Sequence, residues 1–361
     1  MSRLLTIIGP TACGKTAVAT RLAALFATER EASRVSGGFP AEIISADSRQ
    51  VFRGMDIGTG KDLADYDVAV RRGDIEELIH IPYHLIDIAE PGTKYSVFHF
   101  QRDFHRAYHD ICSRGRLPIL CGGTGLYIES VLRAYNLVEV PVNPVLRKKL
   151  EGKSLEELTA LLATYKRLHN TTDVDTARRA IRAIEIEEYY RQNGLSHSSE
   201  TLIPPATPET SEILTHSPLS VSAGFADGNT TPLPSLTIGL DVPRELRRQR
   251  ITARLQRRLR EENMTEEVQR LLDEGVPAEA LLSYGLEYRY ITLHLLGQLS
   301  FDEMARQLEI AIHQFAKRQM TYFRGMERRG VKVCWIDATR PINDLSEEIF
   351  RFFLASFEEK L

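Results

Sequence analysis

A short glycine-rich segment near the N-terminus constrains this chain more than any other feature. Residues 9–16 read G-P-T-A-C-G-K-T and match G-x-x-x-x-G-K-[ST], the pattern of a phosphate-binding loop. The apolar run Leu4–Ile8 before the loop predicts a buried strand, and residues 17–25 after it predict a helix. A strand, a glycine turn and a helix N-terminus in this order direct backbone N–H groups and a helix dipole at an anion. The segment therefore predicts a P-loop α/β fold with a phosphate site.

The loop supplies the candidate ligands of a phosphate compound: Gly9, Pro10, Thr11, Ala12, Cys13, Gly14, Lys15 and Thr16. In such a loop Lys15 reaches the outer phosphates, and the Thr16 hydroxyl is a candidate Mg²⁺ ligand. The motif alone leaves open which phosphate compound is bound. It also leaves open whether a phosphate is transferred or departs as the leaving group.

Composition indicates a soluble cytoplasmic protein. The chain has 361 residues, 43% of them hydrophobic and 26% charged, which leaves room for two domains. The four cysteines form no C-x-x-C pair, so we expect reduced thiols. No apolar run approaches the roughly 20 residues that a membrane span needs, and a strand pattern that starts near Met1 predicts no signal peptide. We also expect a monomer, and the formal net charge of −3 argues against binding polyanions over the whole surface.

Four segments differ in pattern along the chain. Alternating strands and helices predict a P-loop NTPase-like core at 1–137, a parallel sheet with helices on both faces. Residues 138–193 predict a helical insertion, and 237–361 predict a helical C-terminal part that completes the core. Residues 194–236 are rich in Ser, Thr and Pro and predict a flexible loop, with a domain boundary as the alternative.

Within these segments the apolar patterns predict further elements. We expect strands at 41–47, 84–88, 117–121 and 335–337, and helices at 97–114, 155–168 and 175–191. Asp173 or Asp175 is the expected N-cap of the last of these helices. Because the carboxyl ends of parallel strands lie at one edge of a sheet, the loops after the strands should gather there and form the ligand site.

Two aspartates follow predicted strands. Asp47 ends the second strand, where its carboxylate could accept a proton or help to hold Mg²⁺, or could equally cap a turn. Asp87 ends the third, and we favour a structural role for it. The loop Gly122-Gly123-Thr124-Gly125 is a weak phosphate signal by itself but a plausible wall of the same pocket.

Arginines and aromatic residues recur in the helical segments. Arg247, Arg250, Arg254 and Arg258 form one stripe of a helix, and Arg178 and Arg182 share a face of another. Such faces are either solvated or contact a nucleic-acid backbone. Residues 285–290 and 316–324 mix aromatic side chains with arginine, which suits unpaired RNA bases, although core packing is the alternative for Phe323 and its neighbours.

The sequence of the predicted core is consistent with two classes of enzyme. The guanine-reading pattern N-K-x-D is absent, so the chain is not a GTPase of that type. A small-molecule kinase and a transferase that expels pyrophosphate both remain.

Six blocks of sequence favour the transferase. They read G-P-T-A-C-G-K-T, A-D-S-R-Q-V-F-R-G-M-D-I-G-T-G-K, H-L-I-D-I, Y-S-V-F-H-F, R-G-R-L-P-I-L-C-G-G-T-G-L-Y and A-K-R-Q-M-T-Y-F-R. In this order they closely resemble the tRNA dimethylallyltransferase (tRNA isopentenyltransferase) family. The resemblance implies transfer of a dimethylallyl group from dimethylallyl diphosphate to N6 of the adenosine 3′ of the anticodon, in the anticodon stem-loop of tRNA. Pyrophosphate is released, and Mg²⁺ is the implied cofactor.

The resemblance also implies residue roles. Thr11 and Lys15 would act on the diphosphate, Thr16 would bind Mg²⁺, Asp47 would accept the N6 proton, and Arg250 or Arg254 would clamp the diphosphate. Arg254 is assigned a catalytic role with Asp47, Thr11 and Lys15. The implied tRNA contacts are Asp47, Ser48, Arg49, Gln50, Arg178, Arg179, Arg182, Tyr288, Arg289, Lys317 and Arg318.

The chain departs from the family pattern in places. The usual G-Y-R-Q is Glu287-Tyr288-Arg289-Tyr290 here, and the usual T-R before A-K-R-Q is Ile312-His313. An adenylate (AMP or ADP) isopentenyltransferase and a P-loop small-molecule kinase remain as alternatives, and a purely binding RNA adaptor is a more distant one. The basic C-terminal helices favour tRNA, because a mononucleotide acceptor needs no such surface.

Overall fold

Six parallel strands form the central sheet of the computed structural model, which describes residues 4–28, 40–72, 75–166, 168, 174–195 and 232–358. The strands of the chain are β1 (Leu4–Ile8), β2 (Ala41–Ser45), β3 (Asp67–Arg72), β4 (Ile75–His80), β5 (Tyr83–His84), β6 (Leu117–Gly122), β7 (Ser235–Asp241) and β8 (Cys334–Asp337). The sheet order is β5-β2-β6-β1-β7-β8, and β3 and β4 form a separate antiparallel hairpin. The P-loop strand β1 therefore lies near the centre of the sheet.

The described part of the chain contains twelve α-helices. They are α1 (Lys15–Thr28), α2 (Val97–Ser113), α3 (Gly125–Leu132), α4 (Pro144–Leu150), α5 (Leu155–Tyr165), α6 (Ala177–Gln192), α7 (Arg244–Arg260), α8 (Met264–Asp273), α9 (Ala278–Leu281), α10 (Leu286–Leu295), α11 (Phe301–Arg328) and α12 (Ile342–Glu358). None of the helices described is long and apolar enough to cross a membrane.

Both faces of the sheet are buried. Leu5 and Ile7 of β1 pack into one apolar cluster with residues of α1 and α12, whereas Leu4 and Ile8 pack into a second cluster with residues of α2, α3 and α7–α11. Successive residues of a strand point to opposite faces, so a strand covered on both sides reads as a continuous apolar run. The predicted α/β architecture, with helices on both faces of a parallel sheet, is confirmed.

The predicted helical insertion has a small core of its own. Leu158 and Leu162 of α5 and Ala180 and Ile184 of α6 are all buried in one cluster. Their spacing of three or four residues places them on the facing sides of the two helices.

Several predicted boundaries differ from the structure. β5 ends at His84 rather than extending to 88, because Leu85 and Asp87 have φ values of +64° and +55°, which a strand cannot contain. Thr176, and not Asp175, caps α6, since its side chain accepts a hydrogen bond from Arg179 N at 3.3 Å. The other expected cap, Asp173, lies outside the described residues, as does 196–231 of the predicted flexible loop.

The sequence patterns did not predict two features of the fold. The β3–β4 hairpin was not predicted, and neither was β7, which starts at Ser235 inside the expected loop segment. It pairs with β1 from Leu4 to Ile8 and lies between β1 and the edge strand β8. The strand prediction at 335–337 is confirmed by β8.

A buried carboxylate fastens β2 to neighbouring segments. Glu42 is 1% exposed, and its oxygens accept hydrogen bonds from Arg114, Arg116 and His84 at 2.5 to 2.9 Å. Burial opposes its ionisation, but the hydrogen bonds from Arg114, His84 and Arg116 outweigh it and lower the Glu42 pKa to about 2. Glu42 is therefore a structural anion.

Candidate active site

The carboxyl ends of β2, β6 and β1 lie side by side and bring three loops together. Thr124 N donates to Ala46 O at 3.1 Å, and Ser48 N donates to Thr124 Oγ1 at 3.0 Å. A Cβ on Gly122 would lie 2.2 Å from Ala46 O, so only glycine permits this approach. The glycine-rich loop after β6 thus forms a wall beside Asp47, as the sequence suggested.

The phosphate-binding loop turns tightly between β1 and α1. Ala12 and Gly14 have φ values of +63° and +85°, and α1 begins at Lys15. Lys15 Nζ donates to Pro10 O at 2.8 Å and therefore lies over its own loop. The Cys13 thiol occupies the space where a Gly9 side chain would start, 2.6 Å from an ideal Cβ. The predicted order of strand, turn and helix N-terminus is present.

Gln319 of α11 fixes this loop to the glycine-rich loop. Its Oε1 accepts from Thr11 N at 2.8 Å, and its Nε2 donates to Gly123 O at 2.9 Å. The sequence analysis missed this role. The available signal was the polar Gln319 on a helix face that is otherwise apolar, formed by Ala316, Phe323 and Met326.

Arg254 of α7 contacts the same loop. Its Nη2 donates to Thr11 Oγ1, so the backbone and the side chain of Thr11 are both held. Burial and the neighbouring Arg258 lower the Arg254 pKa to about 10, which leaves the guanidinium charged at neutral pH. Arg258 is 3% exposed and lies 3.2 Å from both carboxylate oxygens of Asp62. Arg250 lies one turn before Arg254 and is half-buried.

β2 ends at Ser45 rather than at residue 47 as predicted, so Asp47 lies in the loop just after the strand, where it is half-buried. Its Oδ1 accepts from Arg49 N at 2.9 Å, an Asx turn that orients the carboxylate. Gln50 is 8% exposed; its Oε1 accepts from Ser45 Oγ at 2.7 Å, and its Nε2 donates to Gly60 O at 3.0 Å. Ser48 is 5% exposed. The turn therefore orients Asp47 and leaves the residue partly exposed.

Asp87 is an ion-pair partner of the buried Lys61. This lysine is fully buried, and its Nζ donates to Phe52 O at 2.7 Å, to Asp56 Oδ1 at 2.6 Å and to Asp87 Oδ1. A buried ammonium is stable only when it is paired in this way. The structural role favoured for Asp87 is confirmed, and Lys61 holds together the loop that follows Asp47.

Tyr288 helps Glu267 to hold the loop at residues 56–58. It is 1% exposed, and its hydroxyl donates to Glu267 Oε1 at 2.6 Å. The same carboxylate accepts from the backbone N–H groups of Asp56, Ile57 and Gly58 at 2.8 to 3.1 Å. Tyr288 therefore positions this loop in the structure, and its contact with tRNA stays a prediction. Arg289, next to it, is exposed.

The arginines of α6 do not share one environment. Arg178 is exposed, whereas Arg179 is 7% exposed and its Nη1 donates to Asp175 Oδ2 at 2.8 Å. Arg182 donates to Glu185 Oε2 at 3.1 Å and to Val140 O at 2.8 Å. The structure therefore does not present Arg178 and Arg182 as one exposed face. Their contacts with tRNA stay predictions, as do those of Lys317 and Arg318, which are exposed on α11.

Comparison with known proteins identifies the family. The family model described as IPP transferase matches residues 50–326. The chain is 53% identical over 341 residues to tRNA dimethylallyltransferase 1 of Parabacteroides distasonis, covering 94% of each protein. It is 51% identical over 353 residues to tRNA dimethylallyltransferase 1 of Porphyromonas gingivalis, covering 98% of this chain and 100% of the relative.

Two solved structures are also similar to this chain. The tRNA isopentenylpyrophosphate transferase of Bacillus halodurans matches with a TM-score of 0.61 and 28% identity, over 100% of this chain and 98% of that one. A eukaryotic dimethylallyltransferase solved acting on tRNA matches with a TM-score of 0.64 over 94% of this chain and 74% of that one; at 20% identity it supports the fold alone. The predicted resemblance is confirmed: this chain belongs to the IPP transferase family, the family of the tRNA dimethylallyltransferases.

Proposed function

We propose that this prenyltransferase moves a dimethylallyl group from dimethylallyl diphosphate to N6 of the adenosine 3′ of the anticodon in tRNA, and that pyrophosphate leaves. The observation that carries the proposal is the arrangement around Thr11. This residue is held by Arg254 and Gln319 in a phosphate loop, and Asp47 lies at the same edge of the sheet, beyond the intervening strand β6. An anion cradle and a carboxylate on adjoining loops suit a displacement at an allylic diphosphate.

The bond changes follow from this arrangement. The N6 lone pair forms the new C–N bond, and the bond between the allylic carbon and the diphosphate oxygen breaks, with its electron pair going to the diphosphate. Lys15, Arg254 and the backbone N–H groups of the loop stabilise this growing negative charge. Such fixed donors usually make the largest contribution to catalysis of this kind.

Asp47 receives the proton in this proposal. N6 becomes acidic as its bond to carbon forms, so an ordinary carboxylate is a sufficient base. The Asx turn through Arg49 N keeps one carboxylate oxygen occupied and fixes the direction of the other. The adenine has to leave its stack and turn into the pocket to reach this group.

The residues present are compatible with Mg²⁺. In the described part of the chain, no group of three or more His, Cys, Asp or Glu side chains could hold a metal. Mg²⁺ bound with a diphosphate needs few protein ligands, because it keeps several waters and takes phosphate oxygens. Thr16, in the first turn of α1, would supply the protein ligand, and the ion would help to neutralise the diphosphate.

Exposed cations on three helices are the candidates for contact with the RNA. Arg178 on α6, Arg289 on α10, and Lys317 and Arg318 on α11 are exposed. We propose that Arg178, Arg289 and Arg318 contact the phosphates of the anticodon stem-loop, since such contacts position RNA without reading its sequence.

Nucleoside mass spectrometry tests the proposal. The purified chain, Mg²⁺ and dimethylallyl diphosphate should add one five-carbon unit to adenosine in an anticodon stem-loop. AMP should be a far poorer acceptor, and ATP should not be consumed. Asp47→Asn should reduce turnover while the variant still binds the stem-loop, and Arg254→Ala should reduce use of the donor. Prenylation of AMP in preference to RNA, or phosphate transfer from ATP, would contradict the proposal.

A further inference from the structure

A basic groove lies between α7 and α11. It is lined by Arg247 of α7 and by five residues of α11: Lys317, Met320, Thr321, Arg324 and Arg328. Four of the six lining residues are cations. Like charges gathered in one groove repel one another, so the arrangement is favourable when a multivalent anion is bound.

The groove charges are mostly not neutralised by the protein. Arg324 lies 3.8 Å from Asp241 Oδ2 and 3.4 Å from Glu327 Oε2, and its guanidinium stacks over the Trp335 ring at 4.3 Å. Within the described ranges, neither Arg247 nor Arg328 forms a salt bridge with a carboxylate. Arg324 is thus a fixed wall of the groove, and the other cations remain available to a ligand.

The groove adjoins the phosphate loop. Gln319, which binds Thr11 N, directly precedes Met320 and Thr321 on α11. On α7, Arg247 lies seven residues before Arg254, about 10 Å along a helix that rises 1.5 Å per residue. Arg250 lies between them on the same side of the helix. A line of arginines therefore leads from the groove to the Thr11 hydroxyl.

The order of strands places the groove on the side of the leaving group. Along the carboxyl edge of the sheet the order is β2 with Asp47, then β6, then β1 with the phosphate loop, then β7 with Asp241. Arg324 connects the groove to Asp241, so the groove lies beyond the phosphate loop as seen from Asp47. In an in-line displacement the nucleophile and the leaving group are on opposite sides of the carbon. The departing diphosphate consequently faces the groove.

We propose that this groove is a second diphosphate site, which takes inorganic pyrophosphate from the phosphate loop after transfer. The direction of departure rests on the function proposed above, whereas the binding of a diphosphate to the groove can be measured without it. Guanidinium groups suit this ligand, because they form paired hydrogen bonds with phosphate oxygens. Thr321 adds a neutral hydroxyl donor.

Calorimetric titration of the full chain with pyrophosphate, in the absence of tRNA and donor, tests the site. The wild-type chain should bind pyrophosphate at two sites. Arg247→Gln/Arg328→Gln should weaken one site by roughly tenfold or more, as expected for loss of charge-assisted hydrogen bonds. The control Arg248→Gln/Arg306→Gln removes the same charge from exposed positions of the same two helices and should change neither site. Lys15→Ala should weaken the other site and leave the groove site intact.

Further measurements separate the alternatives. In steady-state transfer, inhibition by added pyrophosphate should be weaker in the groove variant than in the control, while the rate of a single turnover is unchanged. One pyrophosphate site in the wild type, or a groove variant that loses affinity for the anticodon stem-loop and keeps both pyrophosphate sites, would overturn the proposal. If the wild type binds two pyrophosphates but modifies no tRNA, the proposed function fails and the groove site stands.

Discussion

Replacement of Gln319 tests how the phosphate loop is held. Gln319→Ala removes the acceptor of the Thr11 N–H, at 2.8 Å, and the donor to Gly123 O, at 2.9 Å. Gln319 is 8% exposed, so water replaces these partners poorly. Each lost hydrogen bond costs about 1 kcal/mol, and an unsatisfied buried group costs about 1–3 kcal/mol. The free energy of unfolding should therefore fall by about 2–4 kcal/mol.

The same substitution should impair catalysis. A loop that shifts by a fraction of an ångström misplaces the donor, and kcat/KM for dimethylallyl diphosphate should fall roughly ten- to a hundredfold. Gln319→Glu should impair it more than alanine does. The carboxylate still accepts from Thr11 N, but it cannot donate to Gly123 O and adds a negative charge beside the diphosphate.

Two assays measure these effects. Urea unfolding gives the change in stability, and initial rates at varied donor concentration give kcat/KM. Gln314→Ala, an exposed glutamine of the same helix, is the matched control and should change stability by less than about 0.5 kcal/mol. The reasoning is refuted if Gln319→Glu uses the donor as well as the wild type, because the bridge would then have no function.

Four further substitutions have expected outcomes. Lys61→Met leaves two carboxylates without their ammonium and should lower the free energy of unfolding by about 3 kcal/mol in urea, with no such loss for the exposed Lys332→Met. Folding lowers the Glu42 pKa from its usual 4.5 to about 2, so the stability that the ionised carboxylate contributes is complete above pH 4.5 and is lost as the pH falls towards 2. Glu42→Gln should therefore flatten the pH dependence of the free energy of unfolding between pH 4.5 and 2. An unchanged pH profile in the variant would contradict this. Arg178→Ala should reduce the salt dependence of stem-loop binding by roughly one charge, measured by fluorescence anisotropy. Arg182→Ala breaks a contact with the buried Glu185 and should instead destabilise the insertion. Equal salt slopes for the two variants would argue against assigning RNA contact to Arg178 and a structural role to Arg182.

Local patterns predicted the centre of the fold well. The loop motif, the strand before it and the helix after it lie within 25 consecutive residues, so their geometry depends on neighbours in sequence. The insertion helices α5 and α6 were also predicted, because their apolar residues recur at helical spacing. β7 and the β3–β4 hairpin were not predicted. β7 follows a segment rich in Pro and Ser and is stabilised by pairing with β1, more than 200 residues away in sequence.

The arginines of α7 also show what spacing in the sequence does not predict. Spacing placed Arg254 and Arg258 on one stripe, and the structure gives them different partners, Thr11 and Asp62. Periodicity shows which face of a helix a residue occupies, but the partner on that face comes from another part of the chain.

The sequence by itself determined the phosphate loop, the α/β class and the family, because these depend on short motifs with fixed backbone geometry. Only the tertiary structure decided what holds the site together. Gln319 reaches Thr11 across 308 residues, Glu267 reaches the loop at 56–58 across about 210, and Arg254 reaches Thr11 across 243. These contacts form because α7, α8 and α11 pack against one face of the sheet, and no local pattern encodes which polar atoms meet there.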